Sequence, residues 1–183
     1  MRIIVQDNFL PNYSELKRYS RKVEIKEQLY GNKIFNVGVI PSYLQIPFYD
    51  KIQNDFFSKK IKPTICYFRL STPDIDNDIR IHTDQNHCDY IGIIFLTESN
   101  NDIDGTAFWE HPIHGNYLYD KAKPKEIDNI IEYEGKDETM WRLDNVISAR
   151  ENRLIMYKSN MFHSRYPFKP TYDRMAAVFF WSI

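Results

Sequence analysis

His82 and Asp84 are separated by one residue in the run RIHTDQNHCDY, so in an extended segment both side chains point to one face and can reach the same ion. A third ligand has to arrive from elsewhere. His163 is the candidate, because it follows the apolar run Leu154-Ile155-Met156-Tyr157, which reads as a buried strand able to return beside the first. Two imidazoles and one carboxylate suit Fe(II), and three such ligands on one face leave three positions for a bidentate co-substrate and dioxygen. A fourth protein ligand would close the site.

The elements that must position these groups emerge along the chain. Arg2 to Val5 reads as a short strand. Asn12, with Glu15 three residues on, gives a capping arrangement for a helix carrying Leu16, Tyr19 and Val23 on one face. The stretch from Glu24 to Ile40 has no defined period. A second helix is expected near Pro47, with Phe48, Ile52 and Phe56 as its apolar stripe and Phe57 beside them.

From Thr64 the period changes to two: Ile65, Tyr67, Arg69 and Ser71 alternate with Cys66, Phe68 and Leu70. Ile79 to Asp84 alternates likewise and places Arg80 on the face of His82 and Asp84. Tyr90 to Thr97 is almost wholly apolar and reads as a central strand. Glu98 to Asp104 is a polar loop ending at Gly105, and Thr106 to Glu110 returns. Residues 111–140 read as an insertion with a short helix after Pro124. Trp141 to Ile147, Arg153 to Lys158 and Met175 to Ile183 complete the strands.

Helices gathered at the N-terminus and many short strands with polar turns predict a mainly β fold, a double-stranded β-helix or jelly roll with helices on one sheet. At 183 residues the chain is expected to form one domain, with 1–60 as helical support and 61–183 as the jelly-roll core.

The two segments resemble the Fe(II)/2-oxoglutarate-dependent dioxygenases, and more closely the prolyl-4-hydroxylase-like branch with its small bacterial and phage members. The resemblance rests on His82-Thr83-Asp84, the strand Ile91 to Thr97, Asp104-Gly105-Thr106-Ala107-Phe108, His163, and Arg174 eleven residues later. It covers the chain from Thr64 onward. It implies that His82, Asp84 and His163 hold Fe(II) and that Arg174 binds the far carboxylate of 2-oxoglutarate, a task suited to a guanidinium fork. The implied chemistry consumes 2-oxoglutarate and O2, releases succinate and CO2, and hydroxylates an unidentified substrate, peptidyl or small. Asp84 favours hydroxylation over halogenation, since family halogenases lack that carboxylate. The chain departs from the family in having Ala176 where a hydroxyl residue is common and Phe95 near the position of a tyrosine. Tyr67 is therefore expected to supply the second hydrogen bond to the co-substrate, with Arg69 as another carboxylate partner.

Composition limits the alternatives. A formal net charge of −1 gives no global basic field, which argues against nucleic acid and anionic membranes. Two cysteines and no apolar leader suggest a reduced, cytoplasmic protein. His111-Pro112-Ile113-His114 is a rival cluster that could join Asp102 or Cys88 in a zinc site. His87 and Cys88 are expected at the rim of the site. Phe108, Trp109 and Tyr117 either line a substrate pocket or belong to the core. Arg174 could instead pair with Asp173 or Glu151 at the surface. A non-catalytic jelly-roll or cupin-like binding module is the alternative to an enzyme.

Overall fold

The computed structural model describes residues 3–30, 33–73, 81–99, 103–118 and 124–183. Its strands are β1 (Ile3–Gln6), β2 (Lys26–Tyr30), β3 (Lys33–Val39), β4 (Lys62–Ser71), β5 (Tyr90–Phe95), β6 (Gly105–Glu110), β7 (Arg142–Ser148), β8 (Leu154–Lys158), β9 (His163–Tyr166) and β10 (Arg174–Ser182). The α-helices are α1 (Tyr13–Ser20), α2 (Ser42–Phe56) and α3 (Pro124–Glu132). Seven strands form one sheet in the order β1-β8-β5-β10-β4-β3-β2, and three form a second in the order β7-β6-β9. The strand pairs are antiparallel.

The alternation in β4 decides which sheet face does what. Cys66 and Phe68 point to the helices, where Phe68 joins Phe48, Phe179, Trp181, Leu16 and Leu44 in one buried cluster. Phe48 stacks on Phe179 with ring centroids 3.7 Å apart, which locks α2 to β10. Tyr67, Arg69 and Ser71 take the opposite face, beside Val178, Ala176 and Arg174 of the paired β10. A second cluster, including Ile91, Phe95, Phe108, Ile155 and Tyr157, fills the space between the two sheets. The far side of the small sheet is covered by Trp109, Leu118, Ile130, Trp141 and Phe162, which brings α3 and the 111–118 segment into the packed structure.

Several expectations need correction. The second helix begins at Ser42 rather than near Pro47, which lies inside it. Leu44 is buried one turn before Phe48, so the apolar stripe starts earlier than the proline suggests, and Pro41 supplies the extended residue before the helix. Asn12 precedes α1, but its side chain makes no capping hydrogen bond; its carbonyl accepts from the Glu15 amide at 3.1 Å instead. The stretch without a clear period holds the hairpin β2–β3, with Tyr30 paired to Lys33 across Gly31-Asn32 in the sequence. The N-terminal third thus adds three strands to the large sheet as well as helices. The expected strand from Ile79 to Asp84 falls partly outside the described residues, along with Arg80. Its described remainder makes a single β-bridge, His82 to His163.

Candidate metal centre and adjoining cavity

His82 and His163 are brought together by backbone hydrogen bonds. Each amide donates to the other's carbonyl at 3.0 Å, which places their rings 4.4 Å apart between centroids. Asp84 is fixed from the other side: its amide donates to Ser159 O at 2.8 Å, while its carbonyl accepts from the His87 amide at 2.9 Å. The result is convergence of three ligand atoms. Asp84 Oδ2 lies 3.3 Å from His163 Nε2, and Oδ1 lies 3.9 Å from His82 Nε2.

All three ligand atoms lie within 4.8 Å of one another, and this is the one group of three His, Cys, Asp or Glu among the described residues able to hold a metal ion. With metal–ligand bonds of about 2.1 Å, adjacent ligands of an octahedral ion stand about 3 Å apart, so a small contraction would close the set on an ion. His163 is oriented for this. Its Nδ1 is 2.9 Å from Met161 O, which anchors that side of the ring and leaves Nε2 as the nitrogen facing Asp84 and a metal ion. Burial raises the Asp84 pKa, but the hydrogen bond from His163 and the charges of His82, His163 and His87 outweigh it. The carboxyl is held below its ordinary range and is ionised at neutral pH.

The ligands open onto a cavity of about 1000 Å³ between the sheets. Its floor is the inward face of the large sheet, where Tyr67, Arg69, Ala176, Val178 and Arg174 are exposed to the space. Arg174 is buried and does not reach the surface acids Asp173 or Glu151. Its Nη1 donates to Asp104 Oδ1 at 2.9 Å, to Gly105 O at 2.7 Å and to Tyr166 O at 3.4 Å. Burial lowers the Arg174 pKa, Asp104 opposes that, and the nearby charge of Arg69 adds to the lowering. Asp104 is the residue that sequence reading passed over. It looked like the end of a polar turn, and only its complete burial reveals it as a charge partner.

The other candidates resolve differently. His111 is buried, with Nε2 2.7 Å from Glu134 Oε2 and Nδ1 accepting from the amides of Ile113 and His114, so both ring nitrogens are occupied within the protein. The rival zinc cluster is therefore a packing feature, with His111 edge-on to Trp141 at 4.8 Å between centroids; Asp102 lies outside the described residues. Glu134→Gln is expected to lower stability by about 1–3 kcal/mol, measured by denaturant unfolding, without changing metal content. Cys88 is buried and its thiol is pushed up to about 12, chiefly by burial and then by the Asp84 charge, which makes it a poor ligand at neutral pH. His87 is exposed and lines the cavity, as expected for a rim residue. Phe108, Trp109 and Tyr117 pack in the cores.

No helix among the described residues is long and apolar enough to cross a membrane. No family model matches the chain, and no curated protein matches it in sequence. Solved structures do match in shape. HygX from Streptomyces hygroscopicus, whose structure holds nickel, 2-oxoglutarate and hygromycin B, superposes with a TM-score of 0.62 at 10% identity, over 97% of this chain and 81% of that one. A 2OG-Fe(II) oxygenase family oxidoreductase from Burkholderia pseudomallei gives 0.62 at 12% identity, over 98% and 85%. The non-heme alpha ketoglutarate dependent epimerase SnoN from nogalamycin biosynthesis gives 0.58 at 9% identity, over 97% and 76%. At such identities the likeness shows a shared fold and nothing finer.

Proposed function

We propose that this chain is an Fe(II)/2-oxoglutarate-dependent dioxygenase, its residues 1–183 forming one oxygenase domain whose two facing sheets are a double-stranded β-helix. The observation that carries the reading is the convergence of His82, Asp84 and His163 at the edge of a cavity whose floor bears guanidinium groups. The donor set fits Fe(II): two neutral nitrogens and one carboxylate hold the ion on one face and leave room for a chelating co-substrate. Fold neighbours that hold iron or nickel, and 2-oxoglutarate, add support.

In this reading His82, Asp84 and His163 are the metal ligands, and Met161 O keeps His163 in the tautomer that binds. The cationic end of the cavity, with Arg174, Arg69 and Tyr67, receives the distal carboxylate of 2-oxoglutarate. Bound Fe(II) would supply dioxygen activation coupled to oxidation of the co-substrate. One oxygen atom enters succinate as CO2 leaves, and the other converts a substrate C–H into C–OH. The apolar wall formed by Ile91, Ile93, Val178 and Phe180 keeps bulk water from the reacting centre.

Hydroxylation of a small molecule or peptidyl group is the proposed outcome. The test is succinate formation from 2-oxoglutarate in air by the iron-loaded protein, compared with protein treated with a chelator. Iron- and protein-dependent succinate is expected; a folded, iron-retaining protein that forms none would count against the proposal.

A further inference from the structure

Arg165 stands on the small sheet, across the cavity from the arginines of the floor. It lies on β9 two residues after His163, and alternation along the strand turns both side chains toward the space between the sheets. Ser164 between them engages the opposite core, its hydroxyl accepting from Trp109 Nε1 at 2.8 Å. On the neighbouring strand Arg165 is paired with Thr106, which also lines the cavity.

The Arg165 side chain is built in rather than draped over the surface. The residue is 8% exposed and has an interaction within the protein, yet its Nε and Nη1 are buried with no hydrogen-bond partner among the described residues. Guanidinium N–H groups withdrawn from water are destabilising unless an acceptor meets them, and the space that Arg165 borders is the cavity.

The charges of the interior lean the same way. Away from the rim, Arg69, Arg165 and Arg174 stand against two carboxylates, Asp84 and the Asp104 that lies 2.9 Å from Arg174. Lys26 at the rim pairs with Glu24 at 3.1 Å, and Lys22 and Glu132 are exposed to screening solvent. A divalent ion on neutral imidazoles and the two charges of a 2-oxo diacid cancel, so one positive charge is left over among the described residues. The co-substrate reading uses the ion and the floor. The wall that carries Arg165 remains for another molecule.

We propose that Arg165 anchors the anionic group of the molecule that is oxidised, which is therefore a small carboxylate or phosphate ester rather than a neutral or cationic compound. The proposal rests on the co-substrate reading above and names the substrate class for it. His163 and Arg165 are separated by about 7 Å along the strand, so the C–H presented to the metal lies a few bonds from the anion. Ile93 and Phe180 on the large sheet receive the carbon skeleton.

The experiment takes Fe(II)-loaded protein, without oxygen and with 2-oxoglutarate saturating, and titrates it with propionate and separately with methyl phosphate at constant ionic strength. Calorimetry and the shift in melting temperature are the readouts. One further anion per chain is expected in wild-type protein, and the tighter probe tells whether the site takes a carboxylate or a phosphate. Arg165→Gln and the donor-free Arg165→Met should weaken that binding by about 10-fold or more, the loss of a charge-assisted contact, while the Kd for 2-oxoglutarate stays within about 3-fold. Arg165→Lys should retain part of the affinity. Wild-type protein that takes no second anion, or variants that bind it as wild type does, would overturn the proposal. A variant that loses 2-oxoglutarate instead would overturn it too, because Arg165 would then belong to the co-substrate. Wild-type protein that binds no 2-oxoglutarate removes the co-substrate reading by itself, and the same titration on Fe(II)-loaded protein alone then decides whether Arg165 holds an anion. Melting temperatures of the ligand-free variants establish that each is folded.

Discussion

Asp84→Ala is expected to strip iron from the protein, lowering Fe(II) affinity by more than about 100-fold, beyond the 10–100-fold typical of losing an outer-shell partner. Asp84 is the single anionic donor in the group of three, and the same carboxylate spans both imidazoles, at 3.3 Å from His163 and 3.9 Å from His82. Without it two neutral rings face the ion. Iron retained per chain after desalting is the measurement, and an Asp84→Ala variant holding wild-type iron would show that these residues are not the metal site. The fold should survive, because the His82–His163 bridge is made by backbone atoms. The pH dependence follows from the same geometry. A carboxyl held below its ordinary range contributes above the ordinary carboxylate pKa and is lost only as pH falls through the depressed value. Mild acid therefore leaves Asp84 charged, and metal retained per chain is expected to stay at its neutral-pH level while this carboxylate is ionised.

Gly105→Ala is expected to be the most destructive single substitution outside the ligands, costing about 4 kcal/mol or more and preventing soluble expression if the margin of stability is ordinary. A Cβ at this position would stand 1.9 Å from Ile147 O, 2.8 Å from Ile147 C and 2.9 Å from Ser148 Cα, all backbone atoms of the paired strand β7. Backbone cannot swing aside as a side chain can, so β6 and β7 would have to separate. Gly105 is needed for close approach and not for a left-handed conformation. Its carbonyl also holds Arg174 at 2.7 Å, so the same change disturbs the floor of the cavity. Gly115→Ala is the control: its φ of +67° costs about 1–2 kcal/mol, yet the added methyl group meets open space. Chemical unfolding of the two variants should separate them clearly, and equal losses would mean that the β6–β7 contact is less tight than its geometry indicates.

What the sequence made legible follows the strength of each local signal. β5 and β10 are continuous apolar runs in the middle of the large sheet, and only burial on both faces explains such runs. β4 announced its two faces through alternation, which placed Tyr67 and Arg69 toward the site. The three candidate ligands could be singled out because the His-x-Asp spacing and an apolar run before His163 are both local.

The β2–β3 hairpin was not. Lys26 to Tyr30 is mostly polar, so the stretch offered no apolar period from which a strand could be read. β9 is four residues long and mostly polar, so His163 read as following a strand when it begins one. Proline misled the start of α2, where Leu44 carries the packing. Asp104 is the most instructive miss. An acid before a glycine reads as a turn, and its pairing with Arg174, 70 residues away in sequence, exists only once β6 and β10 are brought together.

The most direct test is anaerobic titration of the Fe(II)-loaded protein with 2-oxoglutarate, followed by visible absorption. A weak metal-to-ligand charge-transfer band is expected, saturating at one co-substrate per iron and absent from Asp84→Ala. Folded, iron-loaded wild-type protein whose spectrum stays unchanged at saturating 2-oxoglutarate would contradict the account and leave a metal-binding jelly roll without oxygenase chemistry as the better description.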